Sequence, residues 1–214
     1  MEEKNKKLMI FLAGELQCKE NVKKIIQEWA FDFIAADGGY QYAAELGVPL
    51  AKVLGDFDSS HKPDGENLLV FPCEKDESDA ELALQIGIRE GYKEIWLIAP
   101  FGGRVDHTIA NLALLELADR QNVDVKLYDG INLAYLVGAG IHSIPDHYRY
   151  LSFFPLDSTA ELSLYNMKYP LERYCLYRNK PLAISNEPAE GQPCIQVYSG
   201  KVICVCIENS REEL

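Results

Sequence analysis

Apolar residues come in short compact runs separated by stretches with helical spacing through roughly the first 130 positions. Residues 8–12 form the first run and read as a buried strand. Val22, Ile25, Ile26 and Trp29 then recur at helical spacing over 21–29. Residues 31–36 predict the next strand, ending at Asp37. Gly38-Gly39 opens a short helix through Tyr42, Ala43 and Leu46, which Gly47-Val48-Pro49 stops. Short strands are expected at 52–54 and 68–71. Ser78 followed by Glu81 forms a capping box and predicts a helix to about residue 90, with Leu82, Ala83, Ile86 and Ile88 as apolar members and Gly91 at its end. Residues 94–99 predict a strand and 100–104 a loop. A helix follows from Asp106 or His107 to 121, with Ile109, Leu112, Ala113 and Leu117 on one face. Further strands are expected at 123–128 and 133–137. Strands alternating with helices predict an α/β domain, with a mainly parallel sheet and helices on both faces.

After about Gly140 the helical periodicity fades. Prolines and tyrosines punctuate short runs, and strands are expected at 148–154, 160–165, 195–198 and 201–207. Ser199-Gly200, between the last two, reads as a hairpin turn. The expected arrangement is an α/β domain over 1–135 and a C-terminal antiparallel β-sandwich domain over 140–214.

Charge narrows the function classes. The chain has 214 residues and a net charge of −12, from 21 basic and 33 acidic side chains. That balance argues against nucleic-acid binding, which needs a basic surface. It leaves an anionic substrate open, because a bound metal ion can invert the local field. No apolar run approaches the ~20 residues that span a bilayer, so no membrane partner is expected. Residues 2–7 followed by 8–13 have the outline of a signal peptide, but the apolar part is too short and its flank mixes acid with base. The six cysteines show no metal-type pair spacing. Cys204 and Cys206 read as apolar core residues on one strand face, and a reduced, cytoplasmic setting fits.

The candidate chemistry lies in four segments: Asp37-Gly38-Gly39, Gly55-Asp56-Phe57-Asp58-Ser59, Lys75-Asp76-Glu77-Ser78-Asp79 and Gly102-Gly103-Arg104-Val105-Asp106-His107-Thr108. Asp37 and Asp56 fall at strand carboxyl ends, where open parallel sheets bind ligands. Asp56 and Asp58 are two apart and can reach one hard cation such as Mg²⁺, and Asp79 can supply a third carboxylate. Grouped carboxylates repel unless a cation lies between them. Gly38-Gly39 allows close backbone approach to a phosphate. Gly102-Gly103 offers bare N–H groups, and Arg104 a guanidinium that cannot lose its charge. His107 reads as a proton relay, a ligand or a capping-turn residue, with the structural reading favoured for it alone, and Lys75 as a phosphate partner or a solvated charge. Taken singly, each segment is an ordinary turn, and Ser78 with Asp79 is explained by capping alone. The joint occurrence at strand ends in one half of the chain points to a phosphate-handling site.

Read together, these segments closely resemble the motifs of thiamine pyrophosphokinases. Lys168-Tyr169-Pro170-Leu171 and Ile184-Ser185-Asn186-Glu187 look like that family's second-domain motifs. The resemblance spans about residues 8–207. It implies an N-terminal nucleotide-binding α/β domain, a C-terminal thiamine-binding β-sandwich and a homodimer with thiamine near the subunit interface. It implies Mg²⁺-dependent transfer of the pyrophosphoryl group of ATP to the thiamine hydroxyl, giving thiamine diphosphate and AMP. The family's metal-binding acids correspond to Asp56, Asp58 and Asp79, with Asp37 close by. Its nucleotide and phosphate loop corresponds to Gly102, Gly103, Arg104 and Asp106, and its thiamine segment to Ser185 and Asn186.

The chain departs from the pattern in places. Ser78 stands where Thr is expected, and Pro100-Phe101 precedes Gly102 where a smaller residue is usual. Both tryptophans, Trp29 and Trp96, lie in the first half; the resemblance implies a C-terminal Trp against thiamine in some relatives, so here Tyr165, Tyr169, Tyr174 or Tyr177 stacks instead, or nothing does. Two other readings stay open: a metal-dependent phosphoesterase using the same acids with Asp106-His107, and a non-catalytic nucleotide- or thiamine-binding module.

Overall fold

The computed structural model describes residues 7–55, 68–70 (backbone only) and 76–208. Asp56, Asp58 and Lys75 lie outside the described residues. The chain divides into two compact units, residues 1–130 and 131–214.

The first unit alternates strands and helices: β1 (Lys7–Phe11), α1 (Lys19–Glu28), β2 (Phe31–Ala36), a 3₁₀ turn (Asp37–Gly39), α2 (Tyr40–Leu46), β3 (Lys52–Gly55), β4 (Leu68–Val70), α3 (Asp79–Arg89), β5 (Glu94–Ile98), α4 (Val105–Asp119) and β6 (Asp124–Tyr128). Its strands lie in the order β4-β3-β2-β1-β5-β6, and every neighbouring pair is parallel. β1 is central. Leu8 to Phe11 are all buried, as expected for a strand covered on both faces. After β1 the chain builds one side of the sheet through β2, β3 and β4, then crosses back to lay β5 on the other side. The β1/β5 boundary is therefore a topological switch point, where the loops diverge and leave a crevice.

Helix faces differ from the periodicity in places. On α4 the buried residues are Asn111, Leu114, Leu115 and Ala118, whereas Ile109 is 63% exposed. Apolar residues are spread over more than one face of the helix, so spacing alone did not select the face that packs on β6. On α3 the buried residues are Ala83, Leu84 and Gly87. Ser78 caps α3 as expected, its Oγ accepting from Glu81 N at 3.2 Å. Among the described residues no helix is long and apolar enough to cross a membrane.

The second unit is an antiparallel sandwich of β7 (Asn132–Val137), β8 (Gly140–Ser143), β9 (Tyr150–Pro155), β10 (Thr159–Tyr165), β11 (Leu171–Tyr177), β12 (Cys194–Ser199) and β13 (Val202–Ile207). β13 pairs with β7 and β9 in one layer, and the order β11-β10-β12-β8 makes the other. The expected hairpin at Ser199-Gly200 is not one. The turn is real, with Gly200 at φ +78°, but it carries the chain from one layer to the other, because β12 and β13 each turn an apolar face inward. β8 and β11 gave no sequence signal: both are edge strands, largely exposed, without apolar alternation. Cys204 and Cys206 are buried on one face of β13, and burial pushes the Cys206 thiol up to about 12.

A charged cluster closes the amino ends of the central strands. Glu94 Oε1 accepts from Lys7 Nζ at 3.1 Å, Lys126 Nζ at 2.8 Å and Trp96 Nε1 at 2.9 Å. Burial pushes the Glu94 carboxyl up, but the bonds from Lys126, Trp96 and Lys7 outweigh it and hold it down at about 2. Because the folded value lies below the unfolded one, the stabilisation is present above the unfolded pKa and is lost as pH falls toward the folded value. We expect Glu94→Gln to lower stability at neutral pH and to flatten its decline between about pH 4.5 and pH 2. Urea midpoints across that range check it, and parallel curves for variant and wild type would remove the cluster's role.

Candidate functional site

A cleft of about 490 Å³ opens at the carboxyl ends of β1, β2 and β5. Three loops line it: Leu12 to Glu15 after β1, Ala36-Asp37 after β2, and Pro100 to Arg104 after β5. Ser78 and Asp79 at the start of α3 complete the wall, with His107 and Asn111 from α4. Of the candidate residues, the cleft gathers Asp37, Asp79, Gly102, Gly103, Arg104 and His107. Gly38, Gly39 and Asp106 are not among its lining residues.

The strand ends are locally strained. Asp37 has φ +51° and Ala99 φ +55°, and the left-handed region costs a non-glycine residue about 1–2 kcal/mol. Such strain concentrates where the chain is bent to serve a site. Gly39 also has a packing role. A Cβ there would lie 2.1 Å from the Phe11 carbonyl oxygen, so it is glycine because the turn packs directly on β1.

The loop after β5 is held from several directions. Asn111 Nδ2 donates to the Pro100 carbonyl at 2.7 Å from a buried position on α4. Gly103 N donates to Glu15 Oε1 at 3.0 Å. Tyr42 OH donates to the Gly14 carbonyl at 2.7 Å, tying α2 to the loop after β1. Glu15 and Asn111 were missed in the sequence. Asn111 had a faint signal, a polar residue one turn after His107 in an apolar helix; Glu15 had none.

Arg104 and Asp106 form a two-pronged pair, Nε to Oδ1 at 3.1 Å and Nη2 to Oδ2 at 2.5 Å. Asp106 Oδ1 also accepts from His107 N at 3.0 Å. The Asp106 carboxylate beside Arg104 raises the guanidinium further above its ordinary value, and Arg104 in turn holds Asp106 low. Asp106 therefore orients the cation, and Arg104 stands exposed at the N-cap of α4, available to an anion.

Carboxylate oxygens are the donors a hard cation takes, so Asp37 and Asp79 fit a Mg²⁺ site in chemistry. Among the described residues no group of three or more His, Cys, Asp or Glu side chains is gathered as a metal site; Asp56 and Asp58 are outside them.

In the second unit, an apolar cavity of about 360 Å³ lies between Tyr169, Leu171, Leu182, Ile184 and Asn186. Ser185 adopts φ +51°, and its N–H donates to Ser152 Oγ at 3.0 Å. Asn186 is 2% exposed. Its Oδ1 accepts from Tyr169 N and Glu187 N, each at 3.0 Å, and its Nδ2 donates to the Tyr169 carbonyl at 2.9 Å. These bonds fix the strip that carries Tyr169 along the cavity. Of the four tyrosine candidates, Tyr169 is the one that lines it.

Two family models match the chain in order. "Thiamin pyrophosphokinase, catalytic domain" matches residues 23–127, and "Thiamin pyrophosphokinase, vitamin B1 binding domain" matches 141–202. The chain belongs to the thiamin pyrophosphokinase family. A relative described as thiamine pyrophosphokinase from Bacillus subtilis (strain 168) is 28% identical over 183 residues, covering 81% of this chain and 86% of its own. The crystal structure of thiamine pyrophosphokinase from Bacillus subtilis superimposes with a TM-score of 0.82 at 26% identity, over 95% of this chain and 99% of that one. That of thiamin pyrophosphokinase from Geobacillus thermodenitrificans gives 0.81 at 26% identity, over 95% and 98%. Thiamin pyrophosphokinase from Candida albicans shares the fold, with a TM-score of 0.77 at 15% identity, over 95% and 90%.

Proposed function

We propose that the protein is an enzyme that transfers the pyrophosphoryl group of ATP to the hydroxyl of thiamine, giving thiamine diphosphate and AMP. The observation that carries this reading is the convergence of Asp37, Asp79, Gly102, Gly103 and Arg104 on one cleft at the switch point of the sheet, in a chain of the thiamin pyrophosphokinase family. The family match does not favour the phosphoesterase or the non-catalytic module.

The thiamine hydroxyl oxygen forms a bond to the β-phosphorus, while the bond from that phosphorus to the α,β-bridging oxygen breaks and AMP leaves with that oxygen. The hydroxyl proton goes to a carboxylate or imidazole at the cleft, with Asp37, Asp79 and His107 as candidates, or to solvent. Such transfers depend mainly on positioning and charge neutralisation. The Gly102-Gly103 turn brings the chain close to the polyphosphate, Arg104 faces the transferring group, and Asp106 keeps Arg104 in line. Mg²⁺ held by Asp56, Asp58 and Asp79 would neutralise the triphosphate charge. Lys75 adds positive charge on the same reading.

Thiamine carries a cationic thiazolium ring, which aromatic faces attract. The apolar cavity beside Tyr169, with Ser185 and Asn186 on its strip, suits that ligand, and Tyr169 is the proposed stacking partner. The exposed apolar residues around the strip, Leu182 at 56% and Ile184 at 47%, suit cover by a second copy in a homodimer. A cytoplasmic setting belongs to the same proposal.

With ATP, Mg²⁺ and thiamine, purified protein is expected to form AMP and thiamine diphosphate in equal yield; phosphate release that ignores thiamine would overturn the reading. Asp79→Asn, and likewise Asp56→Asn, should lower turnover by orders of magnitude in folded protein, and wild-type rates would remove the metal assignment. Tyr169→Ala is expected to raise the KM for thiamine about tenfold, as loss of one aromatic–cation contact implies, with the KM for ATP unchanged; an unaltered thiamine KM excludes the stacking role. Light scattering in solution should return twice the chain mass, and a monomer mass rejects the dimer.

A further inference from the structure

Glu15 touches the nucleotide loop in a way the four motif segments do not account for. After β1 the chain stays paired with the segment after β5: Leu12 N donates to the Ile98 carbonyl at 2.9 Å, Gly14 N to Ala99 at 3.1 Å and Glu15 N to Phe101 at 2.6 Å. This locks the Glu15 backbone beside the loop. Its side chain then crosses to Gly103, where Oε1 accepts the backbone N–H at 3.0 Å, and Gln17 Nε2 donates to Oε2 at 3.2 Å. The stem lies on Gly102, where a Cβ would come within 2.5 Å of Glu15 Cγ.

Gly102 and Gly103 have φ +97° and +61°. Two successive glycines have many other conformations open, and ordering them costs more entropy than ordering any other pair. The residue that follows them is Arg104, so the conformation of this pair decides where the guanidinium begins.

We propose that Glu15 is a positioning residue that presets the Gly102-Gly103 turn, and through it Arg104, for the polyphosphate of the nucleotide. It acts from the loop after β1, through the Gly103 N–H and by packing on Gly102. The opposite role, a carboxylate occupying an N–H that phosphate should take, predicts the reverse response. The locked backbone and the packed stem favour positioning, because both make the side chain part of the loop's own structure. The kinetic consequence rests on the pyrophosphokinase reading above; the conformational one does not.

The test uses full-length Glu15→Ala and Glu15→Gln. In unliganded protein, amide hydrogen exchange over residues 101–105 should quicken in Glu15→Ala while β5 stays protected. In Glu15→Gln the loop should stay protected, since the amide oxygen still accepts from Gly103. In the coupled assay Glu15→Ala should raise the KM for ATP about tenfold, the scale of one hydrogen bond to a charged group, with the KM for thiamine unchanged and Glu15→Gln close to wild type. Unchanged exchange in Glu15→Ala overturns the proposal, as does a fall in the KM for ATP, or a Glu15→Gln as impaired as Glu15→Ala. If Glu15→Ala does not accumulate folded, Glu15→Ser, too short to reach Gly103, carries the same test. A wild-type protein that makes no AMP with thiamine defeats the functional reading, while the exchange measurement still decides Glu15.

Discussion

The parallel pairing of β1 with both β2 and β5 is the constraint on which the site depends. β1 is buried on both faces and hydrogen-bonded along both edges. Its neighbours belong to chain segments that leave in opposite directions, so the loops after β1, β2 and β5 cannot fill the space between them. The cleft is the consequence. Its residues come from positions as far apart as Leu12 and Asn111, yet each is one to a few residues beyond a strand or in the first turns of a helix. The rigid sheet thus sets the spacing of the chemistry, while the loops supply its identity.

Holding those loops in place has a local cost, which neighbouring contacts offset. Asp37 and Ala99 adopt left-handed backbone just past their strands. Gly39 lies directly on the Phe11 carbonyl, and hydrogen bonds from Asn111 and Tyr42 pin carbonyls of two of the loops. Charge is organised at both ends of the sheet. Glu94 is enclosed by Lys7, Lys126 and Trp96 at the amino ends, where it serves stability. Arg104 is exposed and steered by Asp106 at the carboxyl ends, where it lines the cleft. The difference is in solvent: an enclosed pair is already spent on a partner, whereas an exposed one can share its guanidinium with an incoming anion.

In the second unit the side chain of Asn186 is consumed by backbone partners of Tyr169 and Glu187. The side chain thereby shapes the strip that carries Tyr169 past the apolar cavity. Ser185, with its backbone turned into the left-handed region, is the exposed neighbour.

Local chemistry was legible in the chain because it depends on residues close in sequence. Strand runs, the Ser78 cap, the glycine turns and the four acidic segments all follow from spacing and composition, and the order of the motifs was enough to point to the family. What spacing could not decide were the choices made between distant segments. The buried face of α4 is set by β6, because its apolar residues are spread over more than one face. Ser199-Gly200 looks like a hairpin, but the sandwich needs both flanking strands to face inward, which sends them to different layers. β11 lacks alternation because it is an edge strand with little to bury. Glu15 carries no motif; it joins the site only because β1 and β5, with 82 residues between Phe11 and Glu94, lie side by side. Local sequence dictates which groups are available and how the chain turns near each of them. Tertiary structure alone decided which of them meet, because side-by-side pairing of remote strands is a property of the folded sheet and not of any local run of residues.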